Sequence, residues 1–198
     1  MHRVRAVREV IGSERALVID ANCGWEADDA IACVRALDDC NLALVEQPTP
    51  DGDYASLARV RREIKPEVMA DDICFDLAHA RELIRNDCCD VISLYPGKNG
   101  GIRKARRIAD FAEAHRVACS IGSNLEWDIA TAAMGHLIVA TPNLRVERYP
   151  GDIYGPIYHE IRVVKEPLQI SGPITVVPDR PGLGVDVDWD LVRTLPVG

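Results

Sequence analysis

The sequence predicts an α/β chain that forms most of a parallel (β/α) barrel, and three observations carry the prediction. Short, nearly continuous apolar runs alternate with amphipathic helical stretches, as strands of a parallel sheet buried on both faces do. These runs end at residues 20, 46, 71 and about 95, a period of about 25 residues that holds one strand and one helix. No Gly-x-Gly-x-x-Gly fingerprint follows a strand, which favours a barrel over a dinucleotide-binding sheet. Eight strands close such a barrel. This chain supplies about six, so the barrel is expected to be incomplete.

Each element has its own signal. Val4, Val7 and Ile11 share a helical face, and Gly12 stops that helix. Ala16-Leu17-Val18-Ile19 reads as a strand ending at Asp20. Ala27, Ile31, Val34 and Leu37 line the next helix. Leu42-Ala43-Leu44-Val45 ends at Glu46, where Pro48 and Pro50 break the chain. Leu57, Val60 and Ile64 face one way from a third helix, and Val68-Met69-Ala70 then ends at Asp71. Leu77, Ala80 and Leu83 precede Val91-Ile92-Ser93-Leu94, which ends at Tyr95. A Gly-rich turn over 97–101 leads to a helix with Ile102, Ala105, Ile108 and Ala112, then a strand over 117–121. Ile129, Ala132, Ala133, His136 and Leu137 suit another helix, and Leu144-Arg145-Val146-Glu147 reads as the last strand. The expected division is a partial barrel over 1–155 and a tail of irregular structure and short strands over 156–198.

Composition narrows the function classes. A formal net charge of -8 on 198 residues argues against nucleic acid and anionic membranes as partners. It does not exclude an anionic small molecule, because a bound cation reverses the local field. No apolar run approaches the roughly 20 residues of a membrane span, and no apolar leader follows Met1. Seven scattered cysteines, an odd number without a Cys-x-x-Cys pair, suit reduced thiols in a cytoplasmic protein.

Asp20, Glu46 and Asp71 each end a strand. In a parallel barrel all strands point their C-terminal ends to one face, so three carboxylates in register converge there. Such a group repels itself unless a cation lies within it. Hard oxygen ligands suit Mg²⁺. A lone Asp at a strand end is more often a helix cap; the shared period favours the metal. Asp72 competes with Asp71, since a one-residue slip exchanges them.

Val18-Ile19-Asp20-Ala21-Asn22, Leu44-Val45-Glu46-Gln47-Pro48 and Met69-Ala70-Asp71-Asp72 resemble the three metal-ligand motifs of the enolase superfamily. The resemblance is to its mandelate racemase/muconate lactonizing enzyme family. Lys98-Asn99-Gly100-Gly101, the stretch from Glu126 to His136, and the tail segments around Lys165 and Pro178 are similar to the muconate cycloisomerase branch. The resemblance implies a TIM-type (β/α)7β barrel and one Mg²⁺ on Asp20, Glu46 and Asp71. It also implies an isomerase or lyase (cycloisomerase, racemase or dehydratase) acting on a small-molecule carboxylate. Proton abstraction and return through a metal-stabilised enolate are the implied chemistry. A capping domain and two barrel strands would precede this chain, which alone is then expected to have little activity. A homo-oligomer is compatible with the reading.

The branch places a catalytic lysine where this sequence has Tyr95, and Lys98 follows three residues later. A tyrosine with an ordinary pKa of about 10 is a poor base near neutrality. Tyr95 is therefore read as a donor or acid, or as a packing residue, with Lys98 as the nearby amine. Asp152 resembles an acidic position on the eighth strand, and Glu147 competes with it. Asn22, Asn124 and Glu126 are candidate substrate contacts; Asn22 alternatively makes a turn, and Glu126 alternatively caps the next helix. His136 reads as a packed core histidine. Trp25 either covers the site or packs. Arg103, Lys104, Arg106 and Arg107 read as the wet face of an outer helix. The competing function is a catalytically inactive remnant that binds metal or needs a partner segment.

Overall fold

The structure, a computed structural model, describes residues 1–195. Five parallel strands run in sequence order: β1 (Val18–Asp20), β2 (Leu44–Glu46), β3 (Glu67–Ala70), β4 (Val91–Leu94) and β5 (Ala118–Ile121). Helices α1 (His2–Ile11), α2 (Ala27–Arg35), α3 (Tyr54–Glu63), α4 (Leu77–Arg85), α5 (Pro96–Asn99), α6 (Ile102–Ala114) and α7 (Asp128–Ala140) alternate with them. Strands that neighbour in sequence order, with a helix between each pair, are an incomplete TIM-type barrel. The chain divides into two compact units, Met1–Ser93 with Phe111–Ala118, and Leu94–Asp110 with the chain from Cys119 onward.

In the first unit, β1 pairs with β2 with Asp20 opposite Glu46, and β2 pairs with β3 with Glu46 opposite Met69. Leu17, Val34, Leu37, Cys40, Leu42 and Val45 form a core under the edge strand, joined by half-buried Val4, Ile11 and Trp25. Each such aliphatic side chain, once fully buried, contributes about 1.5–3 kcal/mol. Arg8 closes α1 by donating to the Gly12 carbonyl, and its Nε donates to the Cys40 carbonyl at 2.7 Å. Asp53 and Asp76 cap α3 and α4 by accepting backbone N–H groups, the expected use of Asp at a helix start. Asp90 accepts from the Val68 N–H at 2.9 Å and from two Arg61 nitrogens, fixing the start of β4 against β3 and α3.

In the second unit, α7 is apolar on most sides and buries Ala132, Ala133, Met134 and Leu137. Its first residue, Asp128, is wholly buried and takes both Arg162 Nε (2.8 Å) and Arg162 Nη2, together with the Leu168 N–H at 3.1 Å. The tail therefore lies on α7. Gly135 lets Val177 approach it, and His136 Nε2 meets the Leu183 carbonyl at 3.3 Å, as a packed histidine does. The tail carries a two-stranded ribbon, β6 (Ile170–Ser171) with β7 (Ile174–Thr175), and a last helix, α8 (Trp189–Thr194), which the sequence did not reveal.

Two further elements differ from expectation. The strand expected over 144–147 is reduced to one parallel bridge between Cys119 and Leu144. The Arg145 carbonyl accepts from the Arg148 and Tyr149 N–H groups, and that turn withdraws the backbone from the ladder. The Gly-rich turn is a short helix, α5, closed by Gly100 in the left-handed region. All seven cysteines are free thiols. No helix among the described residues is long and apolar enough to cross a membrane.

Candidate functional site

The three carboxylates come from adjacent strand ends of the first unit. Asp20 and Glu46 are the last residues of β1 and β2 and stand opposite one another in register; Asp71 directly follows β3. The chain continues across these ends through ladder bonds, with the Ala21 N–H to the Glu46 carbonyl at 3.1 Å and the Gln47 N–H to the Met69 carbonyl at 2.9 Å.

Asp20 is held by its own turn. The Asn22 N–H donates to Asp20 Oδ1 at 2.8 Å and Asn22 Nδ2 donates to Oδ2 at 2.7 Å, while Asn22 adopts φ +44°. Asn22 thus makes the turn, the second of its two expected roles. Partial burial raises the Asp20 carboxyl above the usual carboxylate range; the Asn22 N–H opposes this, and Asp71 and Asp72 push it further up. Like charges therefore meet at these strand ends. Cys23 Sγ lies 3.6 Å from Asp72 Oδ2, and burial with the Asp72 charge pushes its thiol up to about 11.

Gln47 escaped the sequence reading. It is fully buried, donates from Nε2 to the Thr49 carbonyl at 2.9 Å, and accepts the Asp71 N–H on Oε1 at 2.9 Å. One side chain at the end of β2 thereby positions the residue that follows β3. The only sequence signal is a polar residue wedged between a strand-ending carboxylate and Pro48.

The donor set fits a hard divalent cation in chemistry and in strand placement. The rotamers do not enclose one: among the described residues no three His, Cys, Asp or Glu side chains form a metal-holding group. Asp20 is turned onto Asn22, whose Nδ2 donates to its Oδ2.

The second unit gathers Tyr95, Lys98, Asn124 and Glu126. Tyr95 follows β4, is 5% exposed, and starts α5, with its N–H on Asn99 Oδ1 at 3.0 Å. Lys98 Nζ lies 4.9 Å from the Tyr95 ring centroid, a cation–π distance. Asn124 Nδ2 donates to Tyr95 Oη at 2.9 Å. Glu126 Oε2 accepts the Asn124 N–H at 3.0 Å, so its carboxylate braces the loop. It does not cap α7, whose start carries no side-chain cap. Asp152 follows Gly151, which packs on Ile121 at the end of β5, and Asp152 Oδ1 accepts the Tyr154 N–H at 2.8 Å.

Comparison with known proteins gives consistent findings. The model of the enolase C-terminal domain-like family matches residues 1–191. The chain is 31% identical over 192 residues to muconate cycloisomerase 1 of Rhodococcus opacus, covering 97% of this chain and 51% of that protein. Its fold is similar to 2-chloromuconate cycloisomerase from Rhodococcus opacus 1CP, with a TM-score of 0.91, 30% identity, and coverage of 97% of this chain and 51% of that one. It is also similar to a dipeptide epimerase from Enterococcus faecalis V583 complexed with Mg and the dipeptide L-Leu-L-Tyr, with a TM-score of 0.87, 32% identity, and coverage of 93% and 51%. The chain spans about half the length of the curated relatives it matches.

Proposed function

The chain belongs to the enolase C-terminal domain-like family, and from that premise we propose that it supplies the Mg²⁺-binding barrel segment of an isomerase that moves the proton beside a substrate carboxylate. The observation that carries this reading is the strand register, which sets Asp20 opposite Glu46 with Asp71 just past the next strand. Asp20, Glu46 and Asp71 are the proposed holders of the ion. When bound, Mg²⁺ would polarise the substrate carboxylate and stabilise the negative charge that develops as the neighbouring proton leaves.

The chain's own residues have distinct proposed tasks. Asn22 restrains Asp20 through its N–H and its side-chain amide. Lys98, whose Nζ lies 4.9 Å from the Tyr95 ring centroid, is the proposed proton carrier, since a positioned lysine can serve as a general acid or base. Tyr95, whose oxygen accepts the Asn124 amide, orients substrate and donates a proton or hydrogen bond. Asn124 and Glu126 are proposed substrate contacts, with Asp152 as a further acid or base. Residues 1–155 form the proposed catalytic segment, and 156–198 a tail held on α7, of which 196–198 lie outside the described residues.

The relatives' names point to two substrate classes, muconates and dipeptides, both carrying a carboxylate. The test is binding of muconate and of L-Leu-L-Tyr to the chain, followed by ligand NMR. We expect retention of at least one of them with Mg²⁺, lost on chelation and lost in Glu46→Gln. Retention indifferent to both would contradict the proposal.

A further inference from the structure

The loop leaving β5 carries Asn124 and Glu126, and its shape needs support from outside. Leu125 has φ +60°, a left-handed conformation that is unfavourable for a residue with a Cβ. Within the loop, the Leu125 N–H donates to Ser123 Oγ at 2.9 Å and the Asn124 N–H to Glu126 Oε2 at 3.0 Å. Neither bond fixes the Leu125 carbonyl. His159 does so, with Nε2 at 2.6 Å from that oxygen. A carbonyl only accepts, so Nε2 carries a proton whether the ring is neutral or charged. The ring also stands edge-on to Trp127, with centroids 5.2 Å apart and planes at 85°.

The segment that carries His159 presses on the same loop. A Cβ at Gly155 would lie 2.1 Å from the Glu126 carbonyl oxygen and 2.6 Å from its nitrogen, so only glycine permits this approach. Thr131 Oγ1 donates to the same Glu126 carbonyl at 3.2 Å. The loop is thus held between Gly155, His159 of the tail and the first turn of α7, and it delivers Asn124 Nδ2 to Tyr95 Oη.

The geometry points to His159 as a positioning residue: by holding Leu125 in the left-handed conformation, it sets the hydrogen bond from Asn124 to Tyr95. The functional weight of this inference rests on the reading of Tyr95 and Asn124 as site groups; its geometry does not. It extends the candidate site into the tail, 35 residues past Asn124 in sequence.

The experiment is ¹⁵N NMR of the Asn124 side-chain amide in the full chain and in His159→Phe, His159→Gln and Gly155→Ala. His159→Phe keeps a ring against Trp127 and removes the donor; His159→Gln keeps a donor. We expect the Asn124 side-chain amide to exchange about fivefold faster in His159→Phe, the effect of one net hydrogen bond. Backbone amides of α3 should be unchanged, and His159→Gln should restore most of the protection. Gly155→Ala should give the same signature by pushing the Glu126 backbone away, and it serves if His159→Phe fails to fold. An Asn124 signal unchanged in the folded variants, or equal losses in Phe and Gln, would overturn the inference. No metal or substrate enters this measurement, so a failed Mg²⁺ site at Asp20, Glu46 and Asp71 would leave its result readable.

Discussion

Gln47 positions Asp71 without being one of the three proposed metal ligands. Its amide satisfies the Asp71 N–H and the Thr49 carbonyl inside a wholly buried position. Gln47→Leu removes both partners' bonds while filling similar space, so stability should fall by about 1–3 kcal/mol in urea titration, and Mg²⁺ affinity should fall with it. A variant as stable as the parent, with unchanged metal affinity, would show that Asp71 is placed by other means. At this scale the sequence was informative where chemistry and period coincide. Asp20, Glu46 and Asp71 stand out because a charged residue ends an apolar run three times at one spacing. Gln47 and His159 do not stand out. A buried amide looks like loop polarity, and a histidine that holds a carbonyl 34 residues away leaves no local pattern.

Among the elements, α7 and the tail offer a pH test. Burial alone would raise the Asp128 carboxyl, but the Arg162 guanidinium and the Leu168 N–H outweigh it and hold it below the usual carboxylate range. The folded chain then binds that proton more weakly than the unfolded chain. The tether is therefore fully present above the unfolded-state pKa of about 3.9 and is lost as pH falls through the lower folded value. Asp128→Asn should cost about 3 kcal/mol near neutrality, as breaking a buried pair does. Thermal unfolding of the two proteins from pH 6 to 2 should show a constant gap that narrows only below about pH 4. A gap that widens on acidification would mean the opposite shift. The elements themselves were largely readable. β3, β4 and β5 are buried along nearly their whole length, and burial on both faces is what makes a strand an apolar run. The expected strand over 144–147 failed because its alternating pattern, with Arg145 and Glu147, is equally the pattern of a turn, and the Arg145 carbonyl closes one. α8 went unread because six residues among Pro and Gly carry no helical period.

Across the whole chain, the sequence period, the strand order and the family match over residues 1–191 agree on one architecture. The motifs resemble a three-carboxylate metal centre, and the structure sets these residues at three adjacent strand ends, with Asp20 hydrogen-bonded to Asn22. A cation among the carboxylates would offset the repulsion between them. The central claim is therefore that Asp20, Glu46 and Asp71 bind Mg²⁺ as a set. The measurement that tests it most directly is calorimetric titration of Mg²⁺ into the chain and into Asp20→Asn. The account predicts one ion per chain, and a loss in Asp20→Asn beyond the roughly 10–100-fold that an outer-shell change costs. Mg²⁺ binding that Asp20→Asn leaves intact, or a folded chain that binds none, would contradict it.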